Sequence, residues 1–192
     1  MKKFLASALM LLAASTTTFA QNAVGSFSLQ PKAGISIADM TDTQGTTSRI
    51  GFVGGLEGEY QASDIFSLSL GVNYSQEGFK MKNSDNKIKL DYINVPILAN
   101  VYLTKGLAVK VGVQPGFNVG NSVTVDGNTT SSSKKDYDGI KSVALSIPVG
   151  LSYEISNVVL DARYNWGVTK AFDGLDSKNS VFQVTIGYKF QL

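Results

Sequence analysis

The feature that most constrains this chain is an alternation of apolar and polar residues, which runs through most of the sequence after residue 20. Residues 180–192 show it most clearly: the even positions from Phe182 to Leu192 are all apolar, and the odd positions between them are polar or glycine. Successive side chains of a β-strand point to opposite faces, so this period of two predicts a ribbon with one apolar and one polar side. The stretch also has about the 9 to 11 residues that a tilted strand needs to cross a bilayer.

Seven segments of the chain follow this design, and an eighth, the fourth in chain order, follows it with one break. The connections between the eight segments alternate in length. Long polar connections are expected at residues 39–48, 80–87, 121–138 and 170–179, and short turns at 62–64, 104–106 and 156–157. Long loops at one end and tight turns at the other are typical of outer-membrane barrels. We therefore expect an all-β fold, an eight-stranded antiparallel up-and-down transmembrane β-barrel in the bacterial outer membrane. Its termini should be periplasmic and its long loops extracellular.

The fourth segment interrupts the alternation. Apolar residues occupy even positions up to Tyr92 and odd positions from Ile93 onward. A slip of one residue would turn a whole face over, so we predict a β-bulge near Tyr92 and Ile93 that restores the register. The alternative is a strand that begins at Ile93.

The apolar face is predicted to point outward, towards lipid, and the polar face into a lumen filled with side chains. The apolar set carries no charge, as lipid contact requires. Aromatic residues gather near both ends of the strands, where two interfacial girdles would lie. A lipocalin-type barrel with the apolar face inward around a ligand is the alternative. The predicted turn-end aromatics are Phe27, Tyr60, Phe66, Tyr153, Tyr188 and Phe190; those towards the loop end are Phe52, Tyr74, Tyr92, Phe117, Tyr164, Trp166 and Phe182.

The polar face carries charges of both signs that can cancel. Buried charges are tolerated when they are paired and hydrogen-bonded, so we expect a structural ion-pair network in the lumen. Its predicted members are Lys32, Lys110, Arg163 and Lys189 with Glu57, Glu59, Glu154 and Asp161. Two alternatives remain: Asp161 and Arg163 could be an acid with an electrostatic clamp, and Glu57 and Glu59 could be an acid–base pair or a cation site.

Residues 1–20 have the pattern of a cleaved signal peptide, which would leave a single barrel domain at 21–192. Lys2 and Lys3 precede an apolar run that is too short for a spanning helix, and Ala20 precedes the expected cut. Without these two lysines, the 17 basic residues become 15, against 15 acidic ones. This neutral balance does not suggest nucleic acid as a partner.

Three short segments resemble a known family. Residues 91–98 (DYINVPIL) are similar to the Tyr-x-x-x-Pro-Leu-Leu strand of PorT-like outer-membrane β-barrels, 160–167 (LDARYNWG) to that family's penultimate strand, and 186–190 (IGYKF) to its ending. The resemblance implies an eight-stranded outer-membrane barrel. The family's founding member is associated with a protein-secretion system, a role for which this sequence matches no functional motif.

The chain contains no histidine and no cysteine, so His-based triads and zinc sites are excluded. We expect neither enzymatic activity nor a cofactor. The sequence favours a structural or surface-interaction protein with a filled lumen, in contact with outer-membrane lipid and, during insertion, with the outer-membrane assembly machinery. A polar loop at 121–138 could bind an unidentified partner. A narrow channel or an accessory component of a protein-export system is the alternative.

Overall fold

The structure, a computed structural model, describes residues 23–41, 46–82, 86–125, 128–132, 141–170 and 178–192. The predicted signal peptide at 1–20 lies outside these residues, as do parts of the four predicted loops. Within the described ranges there is no helix with the length and apolarity of a membrane span.

The described residues form eleven strands joined by hydrogen bonds into one sheet. In chain order they are β1 (Phe27–Met40), β2 (Thr46–Ser63), β3 (Phe66–Met81), β4 (Lys87–Asn94), β5 (Ile97–Thr104), β6 (Leu107–Val125), β7 (Asn128–Ser132), β8 (Val143–Ile155), β9 (Val158–Lys170), β10 (Lys178–Tyr188) and β11 (Phe190–Gln191).

These strands make an eight-stranded antiparallel up-and-down barrel. β4 and β5 are two parts of one barrel strand, interrupted at Val95 and Pro96, and β10 and β11 are two parts of the last one. β7 pairs with β6 as a hairpin strand beyond the barrel wall. The barrel closes where β1 pairs with β10, from Lys32 opposite Gly187 to Met40 opposite Asn179. Closure leaves the wall without an open edge, which a spanning sheet requires.

Short turns join the strands at one end, here called the turn end. They lie between β2 and β3, β5 and β6, and β8 and β9, as the sequence predicts. Gly106 has φ +83° and Ser156 has φ +57°. Both are left-handed conformations that tight turns between antiparallel strands use. The opposite end, here called the loop end, carries the longer connections.

The faces of the wall confirm the predicted orientation. On β10 the outward Ile186 is 56% exposed, whereas the inward Thr185 next to it is 4% exposed. The same alternation holds along the other strands, with apolar side chains outside and mostly polar ones inside. The lipocalin-type alternative is therefore wrong, since the charged side chains face the interior.

The strands run further into the predicted loops than the sequence suggests. β1 continues to Met40 and β2 begins at Thr46, inside the predicted loop 39–48. β3 likewise enters 80–87, the β6–β7 hairpin occupies part of 121–138, and β9 and β10 enter 170–179. Beyond the membrane the outward face can be polar, so the alternation that marks a spanning strand is lost while its backbone pairing continues.

The predicted change of face in the fourth segment is absent. Even positions of β4 and β5 face the lumen throughout, and Leu90 and Tyr92 are 0% and 1% exposed. A bulge does occur here, but its extra residue belongs to β6: Asp91 pairs with Gly120 and Tyr92 with Asn118, which leaves Val119 unpaired. β4 begins at Lys87, so a start at Ile93 is also wrong.

The inward residues explain the misleading pattern, because the loop end of the lumen is partly apolar. Met40 and Phe79 pack together there with the half-buried Ile88, and we call these three the loop-end apolar cluster. Ala38, Val53, Leu90 and Val181 are also buried on the inner face. The lumen is thus polar along most of its length and capped by apolar side chains near the loops.

Candidate functional site

Five charged side chains meet in the middle of the lumen, and we call them the central cluster. Glu57 on β2 forms ion pairs with Lys32, Lys110 and Arg163, which come from β1, β6 and β9. Lys110 Nζ lies 3.1 Å from Glu57 Oε1, and Arg163 Nη2 lies 3.3 Å from Glu57 Oε2. Arg163 also donates Nε and Nη2 to the two oxygens of Asp161, at 2.9 and 2.8 Å. Lys110 Nζ is 3.1 Å from Asp161 Oδ2.

These contacts cross the barrel interior. The strands β2 and β9 are separated on one side by β1 and β10, and β2 and β6 by β3 and the β4–β5 strand. Hydrogen bonds between such strands can form only through the lumen. All five side chains are at most 4% exposed. The central cluster therefore obstructs the lumen at this level.

A second group of charges, the turn-end cluster, lies nearer the turns. Lys189 Nζ is 3.1 Å from Glu59 Oε2 and 2.7 Å from Glu154 Oε2. Glu59 also accepts hydrogen bonds from the Tyr102 hydroxyl and, at 2.7 Å, from Ser67 Oγ. Lys189 thereby links the last barrel strand to β2 and to β8 through the interior.

The two clusters together carry no net formal charge. Three cations and two anions form the central cluster, and one cation and two anions form the turn-end cluster. Buried charges are costly unless opposite charges and hydrogen bonds compensate them. All eight residues predicted for the lumen lie in these two clusters.

The loop-end part of the lumen contains a buried carboxylate, that of Glu77, which is held by hydrogen bonds. Glu77 on β3 accepts hydrogen bonds from Asn94 Nδ2 at 3.2 Å and from Asn179 Nδ2 at 3.1 Å. Arg49 donates to the backbone carbonyl of Glu77, not to its carboxylate. Gln183 on β10 reaches Ser75 on β3 at 3.3 Å. Since β3 and β10 are not neighbours, the two contacts from Asn179 and Gln183 also cross the interior.

The outward face carries aromatic residues in two bands. Near the turn end, Phe27 lies opposite Tyr60, and the rings of Tyr188 and Phe190 are 4.8 Å apart between centroids. Phe66 and Tyr153 lie in the same band, half-buried opposite Val101 and Leu107. Near the loop end, Phe182 lies opposite Tyr164. Tyr164 Oη is 2.7 Å from Ser180 Oγ, and Trp166 is 62% exposed.

Tyr92 does not belong to the loop-end band, contrary to the expectation, because its side chain is buried in the lumen. The bands are about eight residues apart along a strand, as from Phe52 to Tyr60 on β2. This is roughly 26 Å of extended chain, or about 20 Å across the wall at a tilt of about 40°.

The geometry bears on the two chemical alternatives for the carboxylates. Asp161 is held by both Arg163 and Lys110, and its side chain is 2% exposed. Glu57 and Glu59 belong to different clusters, and each is already paired with lysine. The arrangement is that of internal salt bridges, in which each of the three carboxylates is bound by at least one cation.

Comparison with known proteins identifies the family. Residues 19–173 match the family model described as the outer membrane protein beta-barrel domain. The chain belongs to this family. No curated protein sequence matches the chain at a significant level.

Solved structures of other outer-membrane barrels share the fold of this outer membrane protein beta-barrel domain. Neisserial surface protein A is similar with a TM-score of 0.57 and 20% identity, over 85% of this chain and 97% of that one. Ail, the attachment invasion locus protein of Yersinia pestis, crystallised with the heparin analogue sucrose octasulfate, is similar with a TM-score of 0.55 and 18% identity. The match to Ail covers 87% of this chain and 99% of that one. At these identities the likeness concerns the fold alone.

Several lumen residues were not singled out from the sequence. Glu77, Asn94 and Asn179 meet at the loop end, and Tyr102 binds Glu59. The alternation does predict that Glu77 and Asn94 face the lumen. Each lies at an inward position if the alternation of its strand is continued without a break. The distance between strands across the lumen decides which inward residues meet. The alternation of apolar and polar residues does not predict that distance.

Proposed function

We propose that this protein is an integral outer-membrane barrel with a structural or surface-interaction role, and that its lumen is not an open pore. The observation that carries the proposal is the set of hydrogen bonds across the interior at three levels. They join Lys189 to Glu59 and Glu154, Glu57 to Arg163 and Lys110, and Asn179 to Glu77. An eight-stranded barrel is only wide enough to be filled by side chains.

The wall supports contact with outer-membrane lipid. Its outer face between the two aromatic bands is apolar, and Leu56 and Leu70 are 44% and 58% exposed there. Aromatic rings favour the interfaces at either side of the hydrocarbon layer. The two bands are accordingly proposed as the membrane girdles, with the turn end in the periplasm and the loop end outside the cell.

The loop end supports a role in surface contacts. From Tyr74 to Met81 on β3, and from Phe117 to Val125 on β6, the strands continue for seven to eight residues past the loop-end band. At about 3.3 Å per residue this is on the order of 20 Å of paired sheet beyond the proposed interface. A filled barrel would then act as an anchor for this protruding sheet.

The closed lumen is tested by planar-bilayer recording of the purified, refolded full chain. We expect no steady conductance above the bare membrane. A stable open current would refute the filled-lumen proposal and favour the channel alternative. Glu57→Gln should then change the current if the central cluster lines the path.

The membrane location and orientation are tested in cells. Folded protein should fractionate with outer membranes and migrate anomalously on a gel until boiled. An epitope inserted between β6 and β7 should be labelled on intact cells, whereas one placed after Leu192 should require permeabilised cells. The reverse labelling pattern would overturn the orientation. We also propose cleavage after Ala20, which mass spectrometry of the mature protein would detect as an N-terminal Gln21.

A further inference from the structure

The carboxylate of Glu77 differs from the other deeply buried carboxylates of the lumen because no cation holds it. Among the residues that the structure describes, Glu77 forms no ion pair with lysine or arginine, although it is only 5% exposed. Its hydrogen bonds come from neutral groups, the amides of Asn94 and Asn179 and the side chain of Ser75. An ionised carboxylate buried without a compensating charge is strongly unfavourable.

A small cavity adjoins this carboxylate. It has a volume of about 20 Å³ and is lined by Glu77, Tyr92, Asn94, Gln114, Asn165 and Asn179, among others. A space of this size exceeds the minimum of about 10–15 Å³ that one water molecule requires. It can therefore accept a single small polar occupant.

Other polar atoms at the cavity lack a partner. Both amide atoms of Asn165, which is 2% exposed, make no hydrogen bond within the described protein. Gln114, 3% exposed, donates its amide nitrogen to Ser146 but leaves Oε1 unpartnered. Buried polar groups in native proteins nearly always have a partner. A cavity bordered by a carboxylate without a cation, the unpartnered amide of Asn165 and the unpartnered amide oxygen of Gln114 is thus built for a polar occupant.

We propose that this cavity is a binding site for a single small monovalent cation, sodium, with Glu77 as its anionic ligand. The available ligand atoms are carboxylate and amide oxygens, which hard cations prefer. One carboxylate matches one positive charge, whereas a divalent ion would leave an uncompensated charge in the lumen. The occupant would neutralise Glu77 at the loop end, just as lysine and arginine neutralise Glu57 and Asp161 below it.

The test measures unfolding of the full chain in micelles, in sodium chloride and in choline chloride at constant ionic strength. Sodium should stabilise the wild-type protein, since a ligand that binds the folded state lowers the unfolding equilibrium constant by the factor 1 + [L]/Kd. For a dissociation constant of about 30 mM, 300 mM sodium would lower it about tenfold.

Glu77→Gln should abolish the response to sodium, and Asn165→Leu, which removes one pair of amide atoms without changing the charge, should weaken it. Asp91→Asn is the matched control: it removes a half-buried carboxylate of the same end that is not among the residues lining the cavity, and it should keep the full response. If Glu77→Gln does not fold, Asn165→Leu decides the outcome by itself: an undiminished sodium response in that variant overturns the proposal.

Equal stability of the wild type in sodium and choline would overturn the proposal. So would a sodium response that survives in both Glu77→Gln and Asn165→Leu. Stabilisation by acid alone, lost in Glu77→Gln, would show that a proton on Glu77 takes the place of the cation, and it too would overturn the sodium site. None of these results depends on whether the lumen conducts.

Discussion

Removing Glu57 should destabilise the barrel far more than removing Lys32, although the two side chains form an ion pair with each other. Glu57 is bound by three cations. Lys32, in contrast, makes one salt bridge within the described part of the chain, the one to Glu57. The central cluster carries one excess positive charge. Glu57→Gln raises this excess to two, and Lys32→Met reduces it to zero.

The magnitudes follow from the cost of leaving a buried charge unpaired, which is about 3–5 kcal/mol. Glu57→Gln should lower the free energy of unfolding by this amount. Lys32→Met leaves Glu57 paired with Lys110 and Arg163 and removes the excess positive charge. Because no buried charge is left uncompensated, we expect a loss below about 1 kcal/mol. In the double variant the excess positive charge returns to one. The double variant should therefore be about 2 kcal/mol more stable than the sum of the two single effects predicts, which is the coupling energy between the two sites.

The assay is denaturant unfolding in micelles, followed through Trp166. This is the chain's single tryptophan, and it lies on the outer face at 62% exposure. Its fluorescence should therefore report transfer from detergent to water. The reasoning is refuted if Lys32→Met is as destabilising as Glu57→Gln, or if the double variant is no more stable than Glu57→Gln alone.

Three further substitutions, two of them with a matched control, probe the outer face of the wall and the seam where β1 pairs with β10. Gly34→Ala should cost about 1–3 kcal/mol in unfolding assays, because its Cβ would lie 2.0 Å from a carbonyl oxygen of β10; Gly120→Ala, whose nearest contact is 3.4 Å, should be tolerated. Leu56→Lys, midway between the aromatic bands, should cost about 2–4 kcal/mol, while Ala62→Lys at the turn end should cost little. Phe190→Asp should reduce the heat-modifiable, membrane-inserted fraction more than a loop substitution does, and normal insertion would contradict a role for the terminal aromatics.

The sequence was sufficient for the architecture because lipid imposes a simple rule on the outward face. From Leu145 to Leu151 on β8, for example, every odd residue is apolar and exposed, and the pattern predicts its face without error. The rule holds only where the wall contacts lipid. It could not show that β1 and β3 continue past the membrane, where Met40 and Phe79 turn inward to form the loop-end apolar cluster.

The site was less predictable than the fold. Alternation places Glu57 and Arg163 on the inner face, but it does not give the stagger of the strands that brings them within 3.3 Å across the lumen. Tyr92 shows the second limit: an apolar or aromatic residue that faces a partly apolar lumen is identical in pattern to one that faces lipid. Only the continuous register of β3 with β4 resolves its direction.

The seam between β1 and β10 has a consequence for the timing of folding. It pairs Lys32 with Gly187, so the first and last barrel strands must meet before either edge of the sheet is satisfied. Contacts between residues so distant along the chain form slowly, because the loss of chain entropy precedes any gain from pairing. Until the final strand arrives, a partly formed wall would expose apolar side chains and unpaired backbone groups to water. Such an intermediate is prone to aggregation, and assembly should therefore be concerted, late, and dependent on factors that hold the unfolded chain in solution.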